Sequence, residues 1–163
     1  MRLSRIVLFF LIGVFAAHCI FYYPNLPPEM ASHFDAAGRP NAYISKEKFF
    51  AFESLILLLI ILEFTFLPWI IGKMPNRLIN MPNKDYWFAA ERRAGTLVTI
   101  QHFFEWFSAS LLALFIGINQ LVFRSNLNGE TLSANSWLII GAFLLFVIVW
   151  LIKFVRRFRI ENI

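Results

Sequence analysis

The amino-acid sequence predicts an all-α integral membrane protein with four transmembrane helices in a single domain, residues 1–163. The chain is 59% hydrophobic and contains 20 phenylalanines, an apolar share that exceeds that of an ordinary soluble domain. Four apolar runs, residues 3–22, 49–72, 97–123 and 137–154, are long enough to cross a hydrocarbon core about 30 Å thick. Lysine and arginine are concentrated in alternate connections between these runs.

The first run begins next to Arg2 and Arg5, and a basic start before an apolar stretch is also typical of a signal peptide. The run is long, however, and no small-residue cleavage site follows His18 and Cys19. We therefore expect a retained first helix. Cys19 is the single cysteine, so it has no partner for an internal disulfide.

The basic residues also predict the orientation of the chain. If the N-terminus is cytoplasmic, 11 of the 15 lysines and arginines lie on the cytoplasmic side, and Arg39, Lys46, Lys48 and Arg124 lie outside. Cytoplasmic connections of membrane proteins are enriched in lysine and arginine. We therefore expect a multi-pass membrane protein with both termini in the cytoplasm. The net charge of +5 then indicates contact with anionic lipid and not with nucleic acid.

The connection between the first two runs is polar and rich in turn residues. Pro27 and Pro28 suit the first turn of a short helix, in which Met30 and Phe34 share a face and which Gly38 ends. Ser45 is predicted to cap the second membrane helix. We expect a short lid that lies on the outer membrane surface.

Four side chains of this lid are candidates for binding a peptide or protein partner: Glu29, His33, Asp35 and Arg39. Asp35 is also expected to cap the loop. Glu29, His33 and Asp35 would supply half of a metal site, but zinc needs further ligands. No metal is therefore predicted here.

Two segments resemble the ordered motifs of a bacterial membrane domain of unknown function. "LPPEMASHFDAAGRPNAYISK" follows the first run and "MPNKDYWFAAERR" lies in the second connection. The family usually has a proline where Ala90 stands, which predicts a smoother helix through Ala90. The same domain forms the N-terminal part of sporulation-delay toxin immunity proteins. The resemblance implies a multi-pass protein of the bacterial inner membrane, with an immunity or regulatory role.

The second connection is predicted to form an interfacial helix that Asn83 caps and Gly95 ends. Aromatic side chains prefer the level of the lipid headgroups, and arginines suit the C-terminal end of a helix. The residues concerned are Tyr86, Trp87, Arg92 and Arg93. The alternative is a docking element for a cytoplasmic partner or a neighbouring subunit.

Ionisable residues inside the membrane usually face the bundle interior and have partners. Glu63 and Glu105 are predicted at one depth, with His102 on the same helix face as Glu105 and Gln101 beside it. This cluster would be a polar clamp between the second and third helices, or a proton or ion site. One His-x-x-Glu pair is too few for a dimetal centre, so neither metal nor cofactor is predicted.

Asn128 and Gly129 predict a turn in the third connection. The tail is expected to be a basic anchor whose Phe154 and Phe158 lie against lipid.

The sequence lacks a nucleophile elbow, a phosphate-binding glycine loop, a Cys-x-x-Cys pair and a dinucleotide fingerprint, so an enzyme is not expected. The preferred interpretation is an immunity, regulatory or binding protein that uses its outer loop. One alternative is a carrier or channel subunit, which would require a homo-oligomer because four spans hardly enclose a pathway. The other is a structural subunit of a larger membrane complex.

Overall fold

The computed structural model describes residues 2–160. Its elements, in chain order, are α1 (Leu3–Tyr22), β1 (Glu29–Phe34), β2 (Pro40–Ser45), α2 (Lys46–Lys73), α3 (Lys84–Trp87), α4 (Ala90–Asn128) and α5 (Asn135–Phe158). Of the described helices, α1, α2, α4 and α5 are long and apolar enough to cross a membrane. The prediction of four long apolar helices is therefore confirmed. The largest difference in bounds is at α4, which begins at Ala90, about two turns before the predicted run.

Helix α4 is the centre of the bundle, because α1, α2 and α5 all pack against it. Its 39 residues span about 58 Å, which is longer than the roughly 40–45 Å thickness of a bilayer with its headgroups. Both ends of α4 therefore contact the connections outside the apolar layer. We call these the hairpin end, where β1 and β2 lie, and the basic end, where α1 begins and α5 ends.

The first connection is an antiparallel β-hairpin, so the predicted short helix is wrong. Glu29 pairs with Ser45 and Met30 pairs with Ile44. Residues four apart share a face in a helix, but they also share one in a strand, so the spacing of Met30 and Phe34 did not separate the two structures. Met30 is fully buried among helix side chains and Phe34 packs against the same cluster, as expected for a lid.

The predicted N-cap of α2 is confirmed. Ser45 has extended backbone angles, and its hydroxyl oxygen accepts a hydrogen bond from the Lys48 N–H at 3.4 Å. The hairpin thus leads directly into α2 without a linker.

The second connection does not form the predicted interfacial helix. Helix α3 has only four residues, the chain bends at Ala89, and α4 begins at Ala90, so Gly95 lies inside α4 and ends nothing. The expected smooth helix through Ala90 is also wrong. Ala90 occupies the first position of a helix, where a proline is well tolerated. The Thr96 hydroxyl holds the bend by donating to the Trp87 carbonyl at 2.8 Å.

The end of α5 is buried at this bend. Phe158 has no exposed surface and packs with Ile79, Phe88 and Ile100, with Phe154 packed against the same cluster, so their expected position against lipid is wrong. Asn83 has a left-handed backbone, and its amide donates to the Phe158 carbonyl instead of capping α3.

The third connection is tied to the hairpin. Gly129 ends α4 with a φ of 68° and donates to the Ser125 carbonyl, which confirms the turn predicted at Asn128–Gly129. The Leu132 N–H then donates to the Gly38 carbonyl at 2.7 Å. Gly38 has a φ of 77°, and a Cβ there would lie against the Leu132 carbonyl, so the tip of the hairpin requires glycine.

Candidate functional site

The hairpin is fastened to the C-terminal part of α4 by one side chain. Asn126 Oδ1 accepts a hydrogen bond from the Ala31 N–H at 2.7 Å, and Asn126 Nδ2 donates to the Ala31 carbonyl at 3.1 Å. The amide thus bonds to the edge of β1 as a neighbouring strand would. Because an isolated hairpin is only marginally stable in water, this attachment and the bond between Gly38 and Leu132 set its position.

The opposite edge of the hairpin belongs to β2 and is open. Ala31 directs its N–H and C=O groups toward Asn126, and Ala31 is paired with Tyr43. In an antiparallel ladder, both residues of such a pair direct these groups away from the partner strand. Tyr43 therefore presents its backbone groups at the outer edge of the sheet, and its side chain is 59% exposed.

A cleft of about 180 Å³ lies between the hairpin and the C-terminal end of α4. We call it the hairpin cleft. Glu29 and Tyr43 line it from the strands, and Asn126 and Glu130 line it from α4 and the residues that follow. Two acidic residues thus line one small volume at the C-terminal end of α4, which is the negative end of the helix dipole. The cleft is therefore suited to a cationic group, which the ring of Tyr43 can also contact.

The four predicted lid candidates do not form one site. Glu29 lines the hairpin cleft, whereas His33 is exposed on β1 and its Nδ1 lies 2.5 Å from Asn41 Oδ1. Asp35 closes the hairpin tip as predicted, because its Oδ1 accepts from the N–H groups of Ala37 and Arg39, both at 2.9 Å. The Arg39 side chain is exposed. Within residues 2–160, no three His, Cys, Asp or Glu side chains are grouped to hold a metal ion.

Glu105 is fully buried and bonds to α1, near the basic end. Ser4 donates to its Oε2 at 2.6 Å, and Arg5 donates through Nε and Nη2 to its Oε1 at 2.9 and 2.8 Å. His102 Nδ1 lies 2.9 Å from the Ser4 hydroxyl oxygen. We call these four residues the Glu105 cluster. The sequence indicated Glu105 and His102, but it presented Arg5 only as a flanking charge.

Glu63 is half-buried and bonds to a different group. Its Oε2 accepts a hydrogen bond from the Ser108 hydroxyl at 3.4 Å. Glu63 thus connects α2 to α4 through Ser108, while Glu105 connects α4 to α1. Gln101 is half-buried beside His102 on α4. Glu63 and Glu105, which the sequence predicts in one cluster, thus make separate contacts with different helices.

Sequence reasoning missed a second buried polar layer, which lies toward the hairpin end. Glu53 is 7% exposed, and its Oε2 accepts a hydrogen bond from Asn119 Nδ2 at 2.7 Å. Gln120 bonds His18 and Tyr22 of α1. Asn119 and Gln120 lie inside an otherwise apolar run of the sequence. Because amide side chains at membrane depth need hydrogen-bond partners, these two residues could have predicted the second polar layer.

An apolar layer separates the two polar layers. Leu112 lies between Ser108 and Asn119 on α4, and it packs with Leu8, Phe15 and Ile60 in one buried cluster. A single copy therefore has polar groups in two layers of its interior and apolar side chains between them.

The residues predicted for the interfacial helix have structural roles. Arg93 donates to carbonyl oxygens of Gly72 and Met74, and so caps the end of α2. Trp87 Nε1 donates to the Phe158 carbonyl at 2.7 Å. Arg92 is exposed and stacks over the ring of Tyr86, with 3.9 Å from its Cζ to the ring centre. Arg92 and Tyr86 remain at the surface of the basic end.

The four long apolar helices indicate a multi-pass membrane protein, in which a β-hairpin joins the first two of these helices. A family described as a domain of unknown function (DUF1648) matches residues 8–60. The matched segment contains most of α1, the whole hairpin and the first half of α2, and it includes Glu29 and Tyr43 of the hairpin cleft. No curated protein and no solved structure matches the chain.

Proposed function

We propose that this is a non-enzymatic binding protein of the bacterial cytoplasmic membrane, of an immunity or regulatory type. Its hairpin end faces outward and binds a basic, extended segment of a peptide or protein. The observation that carries the proposal is the hairpin cleft, where Glu29, Glu130 and the exposed Tyr43 line one volume, and Tyr43 also belongs to the open edge of the sheet.

The open edge of β2 supports an extended ligand. The strand has the sequence PNAYIS and carries no charged side chain to block a further strand. A peptide that pairs with this edge gains main-chain hydrogen bonds, and its side chains alternate between the two faces of the sheet. A lysine or arginine on one face can then reach the carboxylates of Glu29 and Glu130.

The apolar layer around Leu112 favours binding over transport. A carrier or channel needs a route that is continuously polar or wet, and in a single copy this layer interrupts it. A transport role would place the route between copies. The hairpin cleft needs no second copy.

Binding can be measured with the purified full chain in nanodiscs of neutral lipid. The probes are three fluorescent extended peptides in which valine alternates with lysine, glutamate or serine. We expect the lysine peptide to bind most tightly, since it alone offers cations to the cleft. The double variant Glu29→Gln/Glu130→Gln should weaken its binding about tenfold, which corresponds to about 1.4 kcal/mol.

Glu47→Gln provides the matched control. Glu47 is an exposed acid in the first turn of α2, at the hairpin end but outside the cleft. It should leave binding unchanged. Equal binding of the lysine and glutamate peptides, or an equal loss in the control and the double variant, would overturn the proposal.

A further inference from the structure

A second concave surface lies between α4 and α5. One part of it is an open groove of about 300 Å³, lined by Ser110, Ala113 and Leu114 of α4 and by Ile139, Ala142 and Phe143 of α5. Apart from the Ser110 hydroxyl, which donates to the Phe107 carbonyl, these side chains are apolar. The groove therefore offers nothing for a polar ligand to bond.

A larger cavity of about 580 Å³ lies toward the hairpin end, where the hairpin tip, the third connection and the start of α5 meet. Ile118 and Ile140 line it next to the groove, one turn beyond Leu114 on α4 and directly after Ile139 on α5. The two spaces therefore follow one another along the same pair of helices.

The larger cavity is also mainly apolar, but it includes polar side chains that the groove lacks. Asp35, Thr131, Ser133 and Ser136 line it, and of its described lining residues Asp35 alone carries a charge. Trp137 stands at its edge and is 63% exposed, as is typical of a tryptophan at the headgroup level. An apolar groove between α4 and α5 thus adjoins a cavity that carries one carboxylate and three hydroxyl side chains.

We propose that this crevice binds one membrane phospholipid with an amine-bearing headgroup. One acyl chain lies in the groove between α4 and α5, and the headgroup ammonium lies in the larger cavity against Asp35. The Asp35 Oδ1 atom is used by the hairpin tip, which leaves Oδ2 to accept from the ammonium. The bound lipid would join the hairpin tip to the start of α5.

The test is native mass spectrometry of the purified full chain, given equal amounts of phosphatidylethanolamine and phosphatidylglycerol. We expect one phosphatidylethanolamine to be retained in preference. Ala113→Phe fills the groove and should remove this retained lipid. Asp35→Asn keeps the acceptor that the tip uses but loses the charge, so the preference for phosphatidylethanolamine should fall about fivefold.

Two controls keep the result specific. Leu145→Phe adds a similar side chain on an exposed position of α5 that does not line the groove, and Asp85→Asn removes an exposed charge at the basic end. Both should retain the lipid as the unaltered chain does. If Ala113→Phe retains it too, or if Asp35→Asn keeps the full preference, the proposal is wrong. Binding of both lipids alike by the unaltered chain would also overturn it. These outcomes do not depend on peptide binding at the hairpin cleft.

Discussion

The carboxylate of Glu105 is completely buried in the bundle. It accepts hydrogen bonds from three donor groups of α1, which compensate for the loss of water. Its charge meets the guanidinium of Arg5, whose side chain is 34% exposed, and the hydroxyl of Ser4. A buried charge is tolerated when it is paired and hydrogen-bonded, and removal of one partner strands the other. The residue thus fastens the start of α1 to α4.

We expect Glu105→Gln to be tolerated better than Glu105→Leu. The glutamine amide oxygen can still accept from Ser4 or Arg5, whereas leucine removes the acceptor that both donors share. Leaving buried donors unsatisfied costs about 1–3 kcal/mol each, so the leucine variant should melt at a clearly lower temperature. Thermal unfolding of the two variants in one detergent measures the difference.

Glu91→Leu is the matched control, because Glu91 is an exposed acid in the first turn of the same helix. It should change the melting temperature little. If glutamine and leucine at residue 105 lower the melting temperature equally, hydrogen bonding at Glu105 does not stabilise the bundle.

At the scale of elements, the hairpin depends on α4. Two strands alone bury too little apolar surface to be stable in water. Here the outer edge of β1 also makes hydrogen bonds with an α4 side chain, Asn126. The length of α4 makes this possible, because Asn126 lies in its last turn, at the level of the strands.

We expect Asn126→Leu to release the hairpin while the helices stay folded. The variant loses both bonds to the buried backbone of Ala31, so β1 should open more often. Hydrogen–deuterium exchange followed by mass spectrometry should show faster exchange in a peptide covering Glu29–Phe34, with α1 and α2 unchanged.

Asn128→Leu is the control for this experiment, because Asn128 is an exposed asparagine half a turn further along α4. The hairpin of the Asn128→Leu variant should exchange its amide hydrogens at the same rate as the hairpin of the unaltered chain. Unaltered exchange of β1 in Asn126→Leu would show that the amide does not hold the strand.

The four membrane helices could be predicted because length and apolar content define them directly. The hairpin could not, since Met30 and Phe34 fit one face of either a helix or a strand. Buried polar contacts could be predicted from the sequence only where a polar residue interrupts an apolar run, as Glu63 and Glu105 do. Arg5 looked like an ordinary flanking charge, and only the packing of α1 against α4 identifies it as the partner of Glu105.

At the scale of the whole molecule, the chain has two parts that meet on α4. The segment matched by the family, residues 8–60, supplies helix α1, the hairpin and half of α2, which pack against α4 directly. Helix α5 lies apart from them and leaves a crevice beside α4. Both proposed binding surfaces therefore border α4 near the hairpin end.

The distribution of charge between the two ends of the bundle predicts its orientation in a membrane. The basic end collects 11 of the 15 lysines and arginines, and the hairpin end has the other four. Since basic residues are retained on the cytoplasmic side, the hairpin should lie outside. A ligand that arrives from outside the cell could then reach the hairpin cleft without crossing the membrane.

We expect a cysteine at the exposed position Ala36 to react with a membrane-impermeant maleimide in intact cells, and a cysteine at Asp85 to react only after the membrane is opened. Both substitutions are made in a Cys19→Ala chain, so that the native thiol gives no signal. Ala36 is in the hairpin tip and Asp85 is in α3 at the opposite end, and both are exposed in the folded chain, so equal labelling after detergent solubilisation is the internal control. Labelling of Asp85→Cys but not of Ala36→Cys in intact cells would reverse the orientation, and the proposed outward binding surface would then face the cytoplasm.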